Sequence, residues 1–403
     1  RDLGGGRLAQ ALAAIAYASG GLALVFGSFF SMNPFEVLFW TALAWILLRT
    51  AREPRWWLGF GFVLGLAVMN KHTSAVFGLA AVAAVLASSE RRQLLGRWPW
   101  VGAAIALLVV VPNLVWQEQH GWTSLEFYRS AQLLKNVPTS PPKAIVNQIL
   151  AEGPQTFPIW AAGVVTTLRD PRRRVLGVTF AILFLMMIFS GSSRPDRIAG
   201  AYPMMMAAGA VAIERARKRW LAPAIFAELA IVGAPLALLV VPALPPAALV
   251  SYAKTLHVLP PVERGREQAL PQWIADRLDW RELDADVEDV FAALPEEDRA
   301  HAVFFTPDYG RAGAIELFGH HEGRVVSTHN GWWLWSRGRA DADVVVAVGF
   351  SRRDLERFFD DVTVAKTHRC ALCTAWRQEN EILVARGRHA SIDAQWDALK
   401  HYE

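Results

Sequence analysis

Cysteine is almost missing from this chain: of 403 residues only Cys370 and Cys373 carry a thiol, and both lie near the end. That count excludes a framework of several disulfides and a four-cysteine zinc site. Charge is scarce too, at 19% of residues against 53% hydrophobic, and residues 8–48 carry a single charged side chain, Glu36. A water-soluble surface cannot be built from such a stretch. Neither Gly-x-x-x-x-Gly-Lys nor Gly-x-Gly-x-x-Gly occurs, and Gly4-Gly5-Gly6 follows no strand, so no nucleotide cradle is expected. The net charge of +4 does not point to nucleic acid, because the arginines cluster in short gaps between apolar runs, where membrane topology accounts for them.

What the chain has instead is apolar length. Windows at residues 8–27, 29–48, 56–70, 73–88, 98–116, 145–168, 175–190, 198–213 and 221–241 approach the roughly 20 residues that a helix needs to cross a bilayer. The expectation is a mainly α, polytopic membrane protein with about nine spans, some of them short enough to be tilted or re-entrant. Arg1 and Arg7, Arg49 to Arg55, Arg91 to Arg97, Arg169 to Arg174 and Arg215 to Arg219 occupy alternate gaps, which places those gaps in the cytoplasm. The opposite gaps then face outward. They include residues 27–32, 70–74, 117–143 and 191–197, and everything after Pro242.

Beyond Pro245-Pro246 the texture changes to that of a small α/β domain. Residues 302–306, 344–348 and 381–385 are expected strands, and 283–294 and 352–360 expected helices. The domain layout predicted is 1–241 in the membrane, 242–387 as an extracytoplasmic α/β domain, and 388–403 as a loosely held tail.

Polar residues inside the apolar part are the functional candidates. Asn70-Lys71-His72 separates two oily runs, and an ammonium there must lie at a membrane face or in a wet cavity. Snorkelling to headgroups is the plainer explanation, and a grip on a lipid phosphate is the sharper one. Asn33 and Glu36 form a second polar interruption, with helix capping as the bland alternative. Asn113, Gln117, His120 and Glu126, with Trp116, Trp122 and Phe127, combine amides and rings of the kind that hold sugars, or else an interfacial aromatic belt. The loop Gly191-Ser192-Ser193-Arg194-Pro195-Asp196-Arg197 offers Arg194 and Arg197 as a second phosphate clamp, or a turn with one internal Arg–Asp pair. His329-Asn330-Gly331-Trp332-Trp333-Leu334-Trp335 is a domain core or a glycan-contact surface, and Cys370 and Cys373, outside the cytoplasm, are expected to pair.

Several of these segments resemble the bacterial family 39 glycosyltransferases, relatives of the protein mannosyltransferases and aminoarabinose transferases. The residues that carry the resemblance are Arg1 to Arg7, Ser31 to Glu36, Asn70-Lys71-His72, Pro112 to Gln117, His120 to Phe127 and Ala201-Tyr202-Pro203. The resemblance implies a GT-C membrane fold in the bacterial inner membrane and transfer of a sugar from a polyprenyl-phosphate donor to an envelope acceptor. No cofactor is expected, no residue is assigned as a metal ligand, and the sequence does not identify a metal dependence. The family's catalytic base, an Asp in the first outer loop, would precede Arg1, so the chain is expected to be an inactive fragment with no base of its own. Relatives commonly show a Lys followed by an aromatic residue in the 191–197 loop, where this chain has Arg194 and Arg197 as substitutes. The rival classes are a transporter or lipid flippase, which predicts inverted repeats and helices broken near the midplane, and a non-catalytic envelope scaffold.

Overall fold

The computed structural model describes residues 1–402 except 192–193, 217, 259–267 and 321–322. Ser192, Ser193 and Arg217, named above in the outer loop and the basic gap, therefore lie outside the described residues. The chain forms two compact units, Arg1–Trp122 with Asn136–Pro245, and Thr123–Lys135 with Pro246–Glu403.

The first unit is helical throughout. Its apolar runs become α1 (Arg7–Ala18), α2 (Gly21–Gly27), α3 (Met32–Thr50), α4 (Trp56–Asn70), α5 (Ser74–Leu86) and α6 (Arg97–Gln119). The second unit takes α7 (Thr123–Leu134), and the first continues with α8 (Pro141–Glu152), α9 (Phe157–Arg169), α10 (Arg174–Phe189), α11 (Tyr202–Arg215) and α12 (Leu221–Val240). Each expected apolar window holds one helix, except that Ser19-Gly20 splits 8–27 and Pro154 splits 145–168. α1 and α2 meet at a 68° bend. Among the described residues, α6 and α12 are long and apolar enough to cross a membrane alone, the α1–α2 pair would count as a third, and α4, α5 and α10 are apolar but shorter.

Side-chain size sets the spacing of these helices. A Cβ at Gly61 would collide with the Gly102 carbonyl, and one at Gly209 with the Ile159 carbonyl, so α4 meets α6, and α9 meets α11, backbone to backbone. Small residues at crossings are how helices pack where the hydrophobic effect between them is weak. Trp40, Leu43, Phe77, Phe180 and Tyr202 are fully buried among them.

The second unit is a five-stranded sheet in the order β2-β1-β3-β5-β4. The strands are β1 (Val303–Thr306), β2 (Arg324–Ser327), β3 (Val344–Val348), β4 (Phe359–Arg369) and β5 (Glu379–Arg388). β1 runs parallel to β2 and β3, while β5 is antiparallel to β3 and β4. Alternate residues feed two cores: Phe304 and Val346 pack with Leu283, Val287 and Ile315, and Phe305 and Ala347 with Trp333 and Trp396. Strand side chains pointing to opposite faces account for the split.

Three expectations need correcting here. The helix expected at 352–360 ends at Leu355, and β4 begins at Phe359. The expected loose tail 388–403 is, over its described residues 388–402, packed into the unit, because Trp396 is 1% exposed and exchanges indole-to-carbonyl hydrogen bonds with Trp333, both 3.0 Å. Finally, residues 123–135, placed with the membrane part above, pack with the α/β unit, where Phe127 lies against its core. Cys370 and Cys373 are joined by a disulfide.

Candidate functional site

The site starts from a local backbone choice. α4 ends at Asn70, Lys71 is extended at φ −156°, and α5 resumes at Ser74. This short break presents Asn70, Lys71 and Thr73 to the start of α3 and His72 to α6. There the Ser31 Oγ caps the helix by accepting from the Asn33 N–H at 3.3 Å. Asn33 and Glu36, three apart, share one face of α3.

Lys71 Nζ donates to Glu36 Oε2 at 2.7 Å and to Asn33 Oδ1 at 2.9 Å. Thr73 Oγ1 donates to Glu36 Oε1 at 2.6 Å. Both carboxylate oxygens are therefore engaged, and the Glu36 side chain is 1% exposed against 13% for Lys71. A charge so buried is stable only when paired and fully hydrogen-bonded. Asn70 Nδ2 donates to the Met32 carbonyl at 2.9 Å, and Trp40 Nε1 to Ser74 Oγ at 3.0 Å. α3 and the α4–α5 break are thus stitched together at four residues. His72 Nε2 lies 3.2 Å from Asn113 Oδ1, which brings the end of α6 into the cluster.

A second pair approaches from the segment before α11. Arg194 Nε donates to Asp196 Oδ1 at 3.2 Å, the internal pair the sequence allowed. The Asp196 carboxyl is held below its ordinary value: burial works against its charge, but the Arg194 guanidinium and the Lys71 ammonium outweigh it. Asp196 and Lys71 therefore share one electrostatic environment.

The structure brings together Asn33, Glu36, Lys71, His72 and Asn113, with Arg194 joined through Asp196. Arg197 is tied to the same turn by its backbone N–H, 3.5 Å from the Arg194 carbonyl. His120 is engaged within its own helix, stacked on Trp116 at 4.3 Å with Nδ1 2.7 Å from the Trp116 carbonyl. Gln117 is buried on the same helix. Glu126 belongs to the second unit, where Lys400 Nζ bonds it at 2.5 Å.

Sequence reading missed a buried polar seam behind this cluster. Tyr202 Oη donates to Gln148 Oε1 at 2.6 Å, Gln148 Nε2 donates to the Pro195 carbonyl at 3.2 Å, and Gln155 Nε2 donates to the Ser19 carbonyl at 2.8 Å. Glu152, one helical turn beyond Gln148, is 2% exposed. The available signal was Gln148 and Glu152 four apart inside an apolar window, which marks one helix face.

Chemically, the arrangement fixes a mostly buried ammonium with two of its three hydrogens bonded, and Asp196 links it to the Arg194 guanidinium. That is a donor array suited to an anionic oxygen.

Residues 5–116 match the family model for dolichyl-phosphate-mannose-protein mannosyltransferase. This mannosyltransferase-like segment contains Asn33, Glu36, Lys71, His72 and Asn113, the whole of the bonded cluster. Among solved structures, ArnT from Cupriavidus metallidurans in the apo state is similar over 94% of this chain and 78% of its own, with a TM-score of 0.53 and 15% identity. The fold is therefore the GT-C fold of ArnT: a mainly helical membrane part and a small sheet. No curated protein matches. The mannosyltransferase-like segment and the ArnT-like fold together support an integral-membrane glycosyltransferase.

Proposed function

We propose that this protein transfers a sugar from a polyprenyl-phosphate carrier to an acceptor of the cell envelope, at the outer face of the bacterial inner membrane. The observation that carries the reading is Lys71, pinned by Glu36 and Asn33 inside the mannosyltransferase-like segment. An ammonium held there costs no reorganisation when a phosphate arrives, and it favours the phosphate as a leaving group. Arg194 is the second donor, and His72 with Asn113 orients the rim. Asn33 and Glu36 hold the ammonium in place rather than touching the sugar. Gln117 and His120 at the end of α6 are candidate contacts for the sugar or the acceptor; Glu126 is a separate candidate within the second unit.

In this reading the apolar helices make about nine crossings, several short ones tilting or pairing to span the roughly 30 Å hydrocarbon layer. The α/β unit, the Cys370–Cys373 disulfide included, stands on the outer side, where disulfides persist.

The test is transfer from a purified polyprenyl-phosphate-linked sugar by the full-length protein in nanodiscs. Lys71→Met combined with Glu36→Gln removes the ammonium without stranding a buried carboxylate. Turnover is expected to fall by at least tenfold. Unchanged turnover in a folded double variant contradicts the proposal.

A further inference from the structure

Gln148 and Tyr202 have no exposed surface, and the Lys71 ammonium bonds Asn33 and Glu36 rather than either of them. Their hydrogen bonds nonetheless end on the Pro195 carbonyl, at the first residue of the turn Pro195–Ala201. A primary amide buried in an apolar helical unit is costly unless both of its ends are bonded. Here the carbonyl end takes the tyrosine hydroxyl and the amino end grips the turn. Further along that turn, the Trp40 ring lies so close to Gly200 that a Cβ there would come within 2.9 Å of it. Trp40 is itself tied to Ser74, three residues from Lys71. The turn that carries Asp196 is thus held at Pro195 by α8 and met at Gly200 by α3.

We propose that Gln148 is a positioning residue for a lipid-linked monophosphate: anchored by Tyr202, it holds Pro195, and through it the Arg194–Asp196 pair, at a fixed distance from Lys71. This rests on the reading of Lys71 as the phosphate holder. Without the clamp, the guanidinium moves as part of a loop, and a phosphate at Lys71 loses its second donor. A side chain that only filled space behind the site would act on folding alone, not through Arg194.

The experiment measures binding of farnesyl monophosphate, and of farnesol as the phosphate-free control, to the full-length protein in nanodiscs. Gln148→Met preserves length and removes both hydrogen bonds. Tyr202→Phe keeps the ring packed against Trp160 and Phe180 and removes only the hydroxyl. Both are expected to weaken farnesyl monophosphate binding about tenfold, which is roughly 1.4 kcal/mol, and to leave farnesol binding unchanged. In an Arg194→Ala background, Gln148→Met is expected to have no further effect, since residues acting through one another are not additive. Wild-type affinity in Gln148→Met, or an equal loss with and without Arg194, overturns the proposal. If the Lys71→Met, Glu36→Gln double variant also binds like the wild type, the phosphate reading itself has failed. If only Gln148→Met does so, the clamp alone has.

Discussion

Glu36 Oε2 accepts from Lys71 Nζ at 2.7 Å, while its other oxygen accepts from Thr73 at 2.6 Å. The carboxylate is the deeper partner of the two. This asymmetry fixes the consequence of breaking the pair. Lys71→Met alone leaves a buried, uncompensated carboxylate and is expected to destabilise the helical unit by about 3–5 kcal/mol. Glu36→Gln with Lys71→Met is expected to return most of that loss, because a neutral pair of similar size needs no counter-charge. Thermal unfolding in detergent checks the order: single variant low, double variant near wild type.

In the α/β unit, His368 sits between two carboxylates, Nε2 at 2.6 Å from Asp279 and Nδ1 at 2.8 Å from Asp286, and Lys366 Nζ reaches Asp286 at 2.6 Å. Burial tends to raise the Asp286 carboxyl, but its bonds to Lys366 and His368 outweigh that and hold it below its ordinary value. A carboxyl depressed in the folded state stabilises fully above its unfolded value of about 3.9, and that contribution fades as pH falls through the lower folded value. Asp286→Asn is therefore expected to flatten the acid limb of the unfolding curve below about pH 4 and to leave its shape near neutrality unchanged. Trp280 fluorescence followed against pH reads this out.

Trp396 tests where the α/β unit ends. It is buried and cross-bonded to Trp333, so Trp396→Ala is expected to cost about 3–5 kcal/mol. Limited proteolysis of the variant should release fragments from the α/β unit at protease levels that leave the wild type intact. A variant as resistant as the wild type would mean that residues 393–402 are not part of the core.

The apolar windows were legible because each helix of the first unit is drawn from one run of oily residues, and even the split ones announce their breaks with Ser19-Gly20 and Pro154. Asn33, Glu36, Lys71 and His72 were legible for the same reason: polar groups stand out against hydrocarbon-loving neighbours. β4 was not. Its sequence Phe359-Asp360-Asp361-Val362-Thr363-Val364-Ala365-Lys366 mixes charges into an edge strand that is mostly exposed, so it lacks the apolar run by which β1 and β3 declare themselves. Gln148 was hidden by company, since an amide in an otherwise greasy helix has meaning only once Tyr202 and Pro195, 54 and 47 residues away, are found beside it. Trp396 was missed because a short 3-10 stretch, Asp393–Leu399, has no periodicity to read.

The central claim is that Lys71, held by Glu36 and Asn33, receives the phosphate of a lipid-linked sugar. The most direct measurement is the dissociation constant of farnesyl monophosphate for the full-length protein in nanodiscs, compared with the Lys71→Met, Glu36→Gln double variant. The account predicts at least a tenfold rise, about 1.4 kcal/mol or more, with farnesol unaffected. Equal dissociation constants in the two folded proteins would contradict it.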